Sequence, residues 1–223
     1  ISIEDFGLVS LVGSMYYLST IPVGAISKTV THRTAYLFGK YETPLKEFWS
    51  HVRFRAIIAG ALTTIIWLAC VPILSILFKS PSWEPFILFA PVWFIGITAA
   101  VDSGFLTGSL KFKALALLMI IDSIAKFTFT FIFVETGNSH FVYASTPIAM
   151  ATAFLVGWIY VISIKQPRRI ISSETLYFPK KFFITSAFTK FSTIAFLSFD
   201  LILAKLFLPP QEAGLYALLS LIG

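Results

Sequence analysis

The sequence contains little charge and almost no cysteine. Only 13% of its 223 residues are charged, against 57% that are hydrophobic, and the mean hydropathy is +0.85. A soluble domain usually carries about 25% charged residues, so this chain has too few of them to cover a globule in water. Its single cysteine, Cys70, excludes an internal disulfide. The chain is therefore predicted to reside in lipid rather than in water.

Sequence signatures of metal, nucleotide and nucleophile chemistry are also missing. The three histidines have no cysteine or carboxylate at ligand spacing, and no P-loop or G-x-G-x-x-G segment occurs. We therefore expect no metal, no cofactor and no enzymatic activity.

Long apolar runs, by contrast, fill most of the chain. A helix needs about 20 apolar residues to cross the ~30 Å hydrocarbon layer. Six runs meet this requirement without the strict alternation of barrel strands, and a seventh begins near Ala213. The predicted spans are residues 6–26, 56–77, 86–106, 114–134, 141–164 and 182–208. Because helices satisfy their own backbone groups in lipid, the predicted fold class is all-α, a polytopic transmembrane helical bundle.

Lysine and arginine orient these spans. Thirteen of them lie in alternate connections, whereas the remaining connections hold only Lys79 and Lys205. The positive-inside rule makes the basic side cytoplasmic, in a multi-pass protein of the cell inner (plasma) membrane. The chain N-terminus is then on the outer side, so a cytoplasmic start would require an odd number of further helices before Ile1, most simply one. Because the basic residues orient the spans, we do not expect nucleic acid as a partner.

A short repeat links the two ends of the chain. Residues 4–12 (EDFGLVSLV) are similar to residues 211–219 (QEAGLYALL) at a constant offset of 207 positions, which aligns Gly7 with Gly214. Both copies enter the membrane from the outer side, and six helices separate them. The repeat predicts a parent protein of two six-helix halves in parallel orientation, an arrangement frequent among transporters.

Three segments, in their order and spacing, resemble exporters of lipid-linked sugars. Residues 3–8 (IEDFGL) resemble the turn after the first helix of these proteins. Residues 104–112 (GFLTGSLKF) are similar to the end of their fourth helix, although Thr107 stands where the family usually has Gln. Residues 200–205 (DLILAK) and 210–216 (PQEAGLY) look like their seventh helix and the turn into the eighth. The chain thus resembles the multidrug/oligosaccharidyl-lipid/polysaccharide exporter superfamily, in particular its O-antigen flippases.

The resemblance implies a two-lobe exporter fold of which this chain covers roughly the first half. Residues 1–165 would form about five helices of the N-terminal lobe, without its first helix. Residues 166–181 would be the cytoplasmic connector between the lobes, and residues 182–223 the start of the C-terminal lobe.

The implied function is transport, by alternating access, of an undecaprenyl-diphosphate-linked oligosaccharide, a polysaccharide repeat unit, across the cytoplasmic membrane. Its partners would be membrane lipids and this lipid-linked substrate, with cation or proton coupling as an open question. Two alternatives come from the same superfamily: a cation-coupled multidrug exporter and a peptidoglycan-precursor flippase. An integral-membrane polysaccharide-assembly enzyme is the alternative from a different class, and the short outer connections argue against it.

Charges inside the predicted spans are functional candidates, because a charge near the bilayer centre costs roughly 2.5–3.5 kcal/mol on insertion scales. Asp122 and Lys126 are four positions apart and share a helix face, as an ion pair between helices or as a cavity-facing pair. Lys190, among serines and threonines, either faces a cavity or snorkels to the interface. The candidate substrate-binding residues are Lys126, Lys190, Asp122, Asp102, Asp200 and Arg33.

Three structural expectations accompany these candidates. The basic, aromatic stretch 28–55, which contains Arg33, is predicted to lie as an amphipathic segment at the membrane surface or to meet a substrate phosphate. Gly104 and Gly108 form a G-x-x-x-G pair that favours close helix packing. Lys205 is expected at the membrane interface.

Overall fold

The structure, a computed structural model, describes residues 3–41, 46–80, 82–137, 139–164 and 176–220. Nearly all of these residues are helical and none belongs to a strand, so the predicted all-α class is confirmed. A 3₁₀ turn, Ser139–Ala144, precedes α6. The α-helices in the described ranges are α1 Ile3–Tyr41, α2 Lys46–Leu77, α3 Glu84–Phe89, α4 Pro91–Gly108, α5 Phe112–Glu135, α6 Ser145–Ser163, α7 Lys180–Phe207 and α8 Pro210–Ser220.

Five helical stretches are long and apolar enough to cross a membrane. They are Val9–Tyr41, Lys46–Leu77, Glu84–Gly108, Phe112–Glu135 and Phe141–Ser163. A sixth is added if two segments of α7, which meet at 60°, form one span. These stretches overlap all six predicted spans, and many of their large apolar side chains are exposed, as lipid-facing surfaces require. The chain is therefore a multi-pass helical membrane protein.

The first two helices are much longer than predicted, and the expectation of a surface segment over residues 28–55 is wrong. The helix α1 continues to Tyr41 and α2 begins at Lys46. The 39 residues of α1 span about 58 Å, well beyond the ~30 Å hydrocarbon layer. The extensions are stable because both pack on α4, in one shared apolar core. Their buried side chains include Val30, Leu37, Phe48, Trp49 and Val52.

The helix α1 occupies the centre of the bundle and packs against α4, α7 and α8, whereas α2 packs on α4, and α6 packs on α4 and α5. One apolar core lies around the end of α1 and the start of α2, which we call the basic end because Lys40, Lys46 and other described cations lie at these helix ends. A second core lies at the opposite end. It contains Leu11, Val12, Met15, Val71, Phe78, Phe86, Phe89 and Val92.

Candidate functional site

Two contacts fix the register of α1 against α7. The ring of His32 stacks on the ring of Phe182, with centroids 4.5 Å apart and planes 21° from parallel. Eight residues earlier on α1, Gly24 meets Lys190, which lies eight residues later on α7. The two helices therefore run antiparallel. Lys28 is exposed and lies midway between the two contacts on the same face of α1. We call this contact line, from Gly24–Lys190 to His32–Phe182, the α1–α7 seam.

Lys190 lies in this seam, half-buried. A Cβ atom on Gly24 would be 3.2 Å from its Cε, so the absence of a side chain at Gly24 makes room for the lysine stem. The described residues give its ammonium no hydrogen bond or ion pair. Neighbouring hydroxyls on α7, those of Thr185, Thr189, Ser192 and Thr193, donate to carbonyls of their own helix. The ammonium is thus a cation held between two membrane helices.

Asp122 and Lys126 lie on a cleft flanked by α1 and α5. A cavity of about 300 Å³ contains Asp122 with Tyr16, Ser103 and Met150 among its walls. A second cavity of about 240 Å³ contains Lys126 and shares Tyr16 with the first. The Lys126 Nζ is 5.6 Å from the centroid of the Tyr16 ring. Within the described part of the chain, Asp122 and Lys126 form no salt bridge, and the tyrosine ring lies at the junction of the two cavities.

Asp102 borders the cavity of Asp122 as well, and its carboxylate belongs to a buried charge cluster near the basic end. Its carboxylate accepts hydrogen bonds from Arg53 Nη1, at 2.8 and 3.0 Å to its two oxygens, and from Trp49 Nε1 at 2.7 Å. The side chain of Asp102 is only 3% exposed, and that of Arg53 only 8%. The guanidinium is also 5.0–5.1 Å from the ring centroids of Trp49, Phe154 and Trp158. Side chains from α2, α4 and α6 therefore meet at one neutralised charge pair.

This cluster joins three helices, and its carboxylate lies at the wall of the cavity that also contains Asp122. Both charges are compensated, and aromatic faces surround the cation. Sequence reasoning missed Arg53 and Trp49, because both lay in the stretch expected at the membrane surface. No local signal pointed to them, since 49 residues separate Arg53 from Asp102 and only the packing of α2 on α4 joins them.

Asp200 lies at the opposite end of the bundle, on α7. Its carboxylate accepts a hydrogen bond from the Tyr216 hydroxyl of α8 at 3.4 Å, so it links these two helices. Lys205, five residues further on, is only 4% exposed. It is buried because its Nζ lies 3.6 Å from the position of a Cβ on Gly7, where α7 meets α1.

Close packing through glycine occurs along α1. A Cβ atom on Gly104 would lie 2.6 Å from the carbonyl oxygen of Ser27, and one on Gly108 would lie 2.6 Å from the Cβ of Thr34. The Thr31 hydroxyl donates to the Gly104 carbonyl at 3.2 Å. The G-x-x-x-G pair thus packs α4 directly on the α1 backbone, and the packing prediction is confirmed.

The six predicted candidates therefore lie in three regions of the bundle. Lys190 lies in the α1–α7 seam, and Arg33 lies on α1 next to His32, at the basic end of that seam. Asp122 and Lys126 line the cleft, Asp102 borders the cavity of Asp122 while paired with Arg53, and Asp200 lies at the opposite end. Tyr16 lies in the cleft and Lys28 in the seam, and sequence reasoning had singled out neither.

The class of protein is thus defined: a multi-pass helical membrane protein with cations along one interhelical seam and a carboxylate and a lysine along a cleft. Comparison with known proteins does not assign the chain to a family, since no family model, curated protein or solved structure matches it.

Proposed function

We propose that the chain is part of a transporter that moves an undecaprenyl-diphosphate-linked oligosaccharide from the cytoplasmic to the outer leaflet of the inner membrane. The observation that carries this proposal is the placement of Lys190 between α1 and α7, with Lys28 further along the same seam. A diphosphate that crosses the membrane loses its hydration, and cationic side chains along its path offset that cost. The basic end is the cytoplasmic end in this proposal.

In a two-lobe transporter, the seam would lie between the two halves that move during transport. The helix α1 belongs to the first half of the sequence repeat, and α7 lies beyond the connector to the second half. Rocking of two such halves would open the seam first on one side and then on the other, as alternating access requires. The meeting of Gly7 and Gly214, the equivalent glycines of the repeat, supports the internal symmetry. No covalent step is needed.

A cation-coupled multidrug exporter is the second candidate. One observation favours it: the half-buried carboxylate of Asp122 lines a mostly apolar cavity beside Tyr16 and Ser103. Ionisable groups inside membranes commonly mark ion or proton paths. The two candidates differ in which charges are essential, because the lipid diphosphate requires Lys190 and the coupled exporter requires Asp122.

The test is a chromosomal deletion of the gene, complemented by variants, with lipid-linked oligosaccharide and drug tolerance measured in parallel. We expect the deletion to accumulate lipid-linked oligosaccharide on the cytoplasmic leaflet without a change in drug tolerance. Lys190→Met should fail to complement, whereas Lys190→Arg should restore transport at least in part. Lys113→Met, at an exposed lysine near the start of α5, is the matched control. Unchanged lipid pools together with new drug sensitivity would favour the second candidate.

A further inference from the structure

An arginine flanked by two tyrosines lies at the basic end of the seam. The guanidinium carbon of Arg33 is 5.1 Å from the ring centroid of Tyr36 and 5.7 Å from that of Tyr177. Tyr36 lies on α1, whereas Tyr177 belongs to the segment just before α7. The cluster therefore joins the two elements that form the seam. We call these three residues the tyrosine–arginine cluster.

Its two tyrosines are unusually accessible for rings that flank a cation. Tyr36 is 49% exposed and Tyr177 is 58% exposed. Aromatic residues near a membrane surface often serve only as anchors in the headgroup region. Here the rings come from two separate elements and approach one guanidinium, an arrangement that anchoring does not require. The adjacent stack of His32 on Phe182 holds the two elements in register beside it.

We propose that the tyrosine–arginine cluster is a reception site for the sugar–diphosphate headgroup of a lipid-linked saccharide. This inference rests on the proposed function and adds the place where the headgroup first binds. The guanidinium suits a phosphate through paired hydrogen bonds, and it stacks readily on aromatic rings. The exposed tyrosine faces suit the C–H face of a sugar ring. Phosphate and sugar are thus recognised by different residues of one cluster.

The position of the cluster suits transfer into the seam. Arg33 lies nine residues from Gly24, the contact of Lys190, which is about 13.5 Å along a helix. Lys28 lies between them on α1, and Lys180 and Lys181 are exposed at the start of α7. These cations make the basic end strongly positive and attract an anionic headgroup. Lys28 is the next cation along α1, about one to two turns from Arg33.

Ordinary anionic phospholipids carry the same phosphate chemistry and are the second source of a ligand. Arginine alone does not separate the two, because both present a phosphate. The tyrosines would distinguish the two ligands, since only the lipid-linked saccharide offers a sugar next to its diphosphate. A test must therefore change the aromatic faces and the cation separately.

The experiment measures binding to the full-length protein in phosphatidylcholine nanodiscs. The probes are undecaprenyl diphosphate carrying one N-acetylhexosamine, undecaprenyl diphosphate alone, and phosphatidylglycerol as a competitor. The variants are Tyr36→Leu/Tyr177→Leu, the matched pair Tyr36→Phe/Tyr177→Phe, and Arg33→Gln. Tyr17→Leu, at a tyrosine of similar exposure outside the cluster, is the control. Thermal unfolding of each variant confirms that its fold is retained.

We expect the leucine pair to weaken binding of the sugar-carrying probe about tenfold and to leave undecaprenyl diphosphate alone nearly unaffected. The phenylalanine pair should stay close to wild type, and Arg33→Gln should weaken both diphosphate probes. Equal loss of both probes in the leucine pair, no loss in that pair, or equal competition by phosphatidylglycerol would each overturn the reception site.

The two proposals fail in distinguishable ways. If the wild-type protein flips and binds the sugar-carrying probe while the leucine pair binds it equally well, the reception site is wrong and the transport function stands. If the wild-type protein binds neither diphosphate probe and the gene deletion leaves lipid-linked saccharide pools unchanged, both proposals are wrong.

Discussion

Gly7 and Gly214 face each other across the contact between α1 and α8. A Cβ atom on Gly7 would lie 3.3 Å from the Cα of Gly214. These two glycines occupy equivalent positions in the sequence repeat, 207 residues apart. In an assembly with two-fold symmetry, a residue that touches its own equivalent lies next to the axis. The contact therefore marks where a pseudo-two-fold axis between the halves of the repeat would pass.

A side chain at Gly7 should disrupt this contact. Gly7→Val places branched carbons against the α8 backbone, and such overpacking costs about 1–3 kcal/mol of unfolding free energy. Gly13→Val is the matched control on the same helix, because no atom of another element lies within 4 Å of a Cβ there. Thermal unfolding in detergent compares the two. Equal melting temperatures for both variants would contradict the close contact.

The Arg53–Asp102 pair should behave as one unit. Removal of a single partner leaves a buried charge uncompensated, so Arg53→Met should cost roughly 3–5 kcal/mol. Arg53→Met/Asp102→Leu removes both charges and should be markedly more stable than the single variant. Free energies of unfolding in mixed micelles test this through a double-mutant cycle. If the two losses simply add, the pair is not coupled.

Gly104 and Gly39 should respond oppositely to the same substitution. Alanine raises helix propensity by about 1 kcal/mol, and Gly39 has open space for the methyl group, so Gly39→Ala should stabilise the protein or leave it unchanged. Gly104→Ala should destabilise it, because the new Cβ would lie 2.6 Å from a backbone oxygen of α1 that cannot rotate away. The unfolding midpoints of the two variants, measured under the same conditions, test these opposite effects on stability. A stabilised Gly104→Ala would show that α4 and α1 are further apart.

Gly24 and Lys190 should be functionally coupled. Gly24→Leu fills the space that the lysine stem occupies and should displace the ammonium from the seam. We therefore expect Gly24→Leu to reduce lipid-linked oligosaccharide flipping as strongly as Lys190→Met does. The double variant Gly24→Leu/Lys190→Met should be no worse than either single variant in the complementation assay. If the defect of the double variant equals the product of the two single defects, the two residues act independently.

The sequence by itself determined the class of the protein and its rough layout. Few charges and long apolar runs require helices in lipid, because backbone groups have no other partners there. All six predicted spans coincide with helices, and the G-x-x-x-G pair at Gly104 and Gly108 packs closely as expected. These features are local, so each follows from a run of some 20 residues or a fixed spacing. Helix ends were less accurate, since the extensions of α1 and α2 are more polar than the spans and are stabilised by packing on α4.

Only the tertiary structure decided which helix faces meet. It paired Arg53 with Asp102, placed Lys190 on Gly24, buried Lys205, and set Tyr16 between the cavities of Asp122 and Lys126. Hydropathy cannot predict such pairings, because the lipid-facing and protein-facing sides of a membrane helix are almost equally apolar. Lateral contacts depend instead on small residues, shape and isolated polar groups. These become informative only when helices far apart in sequence are brought side by side.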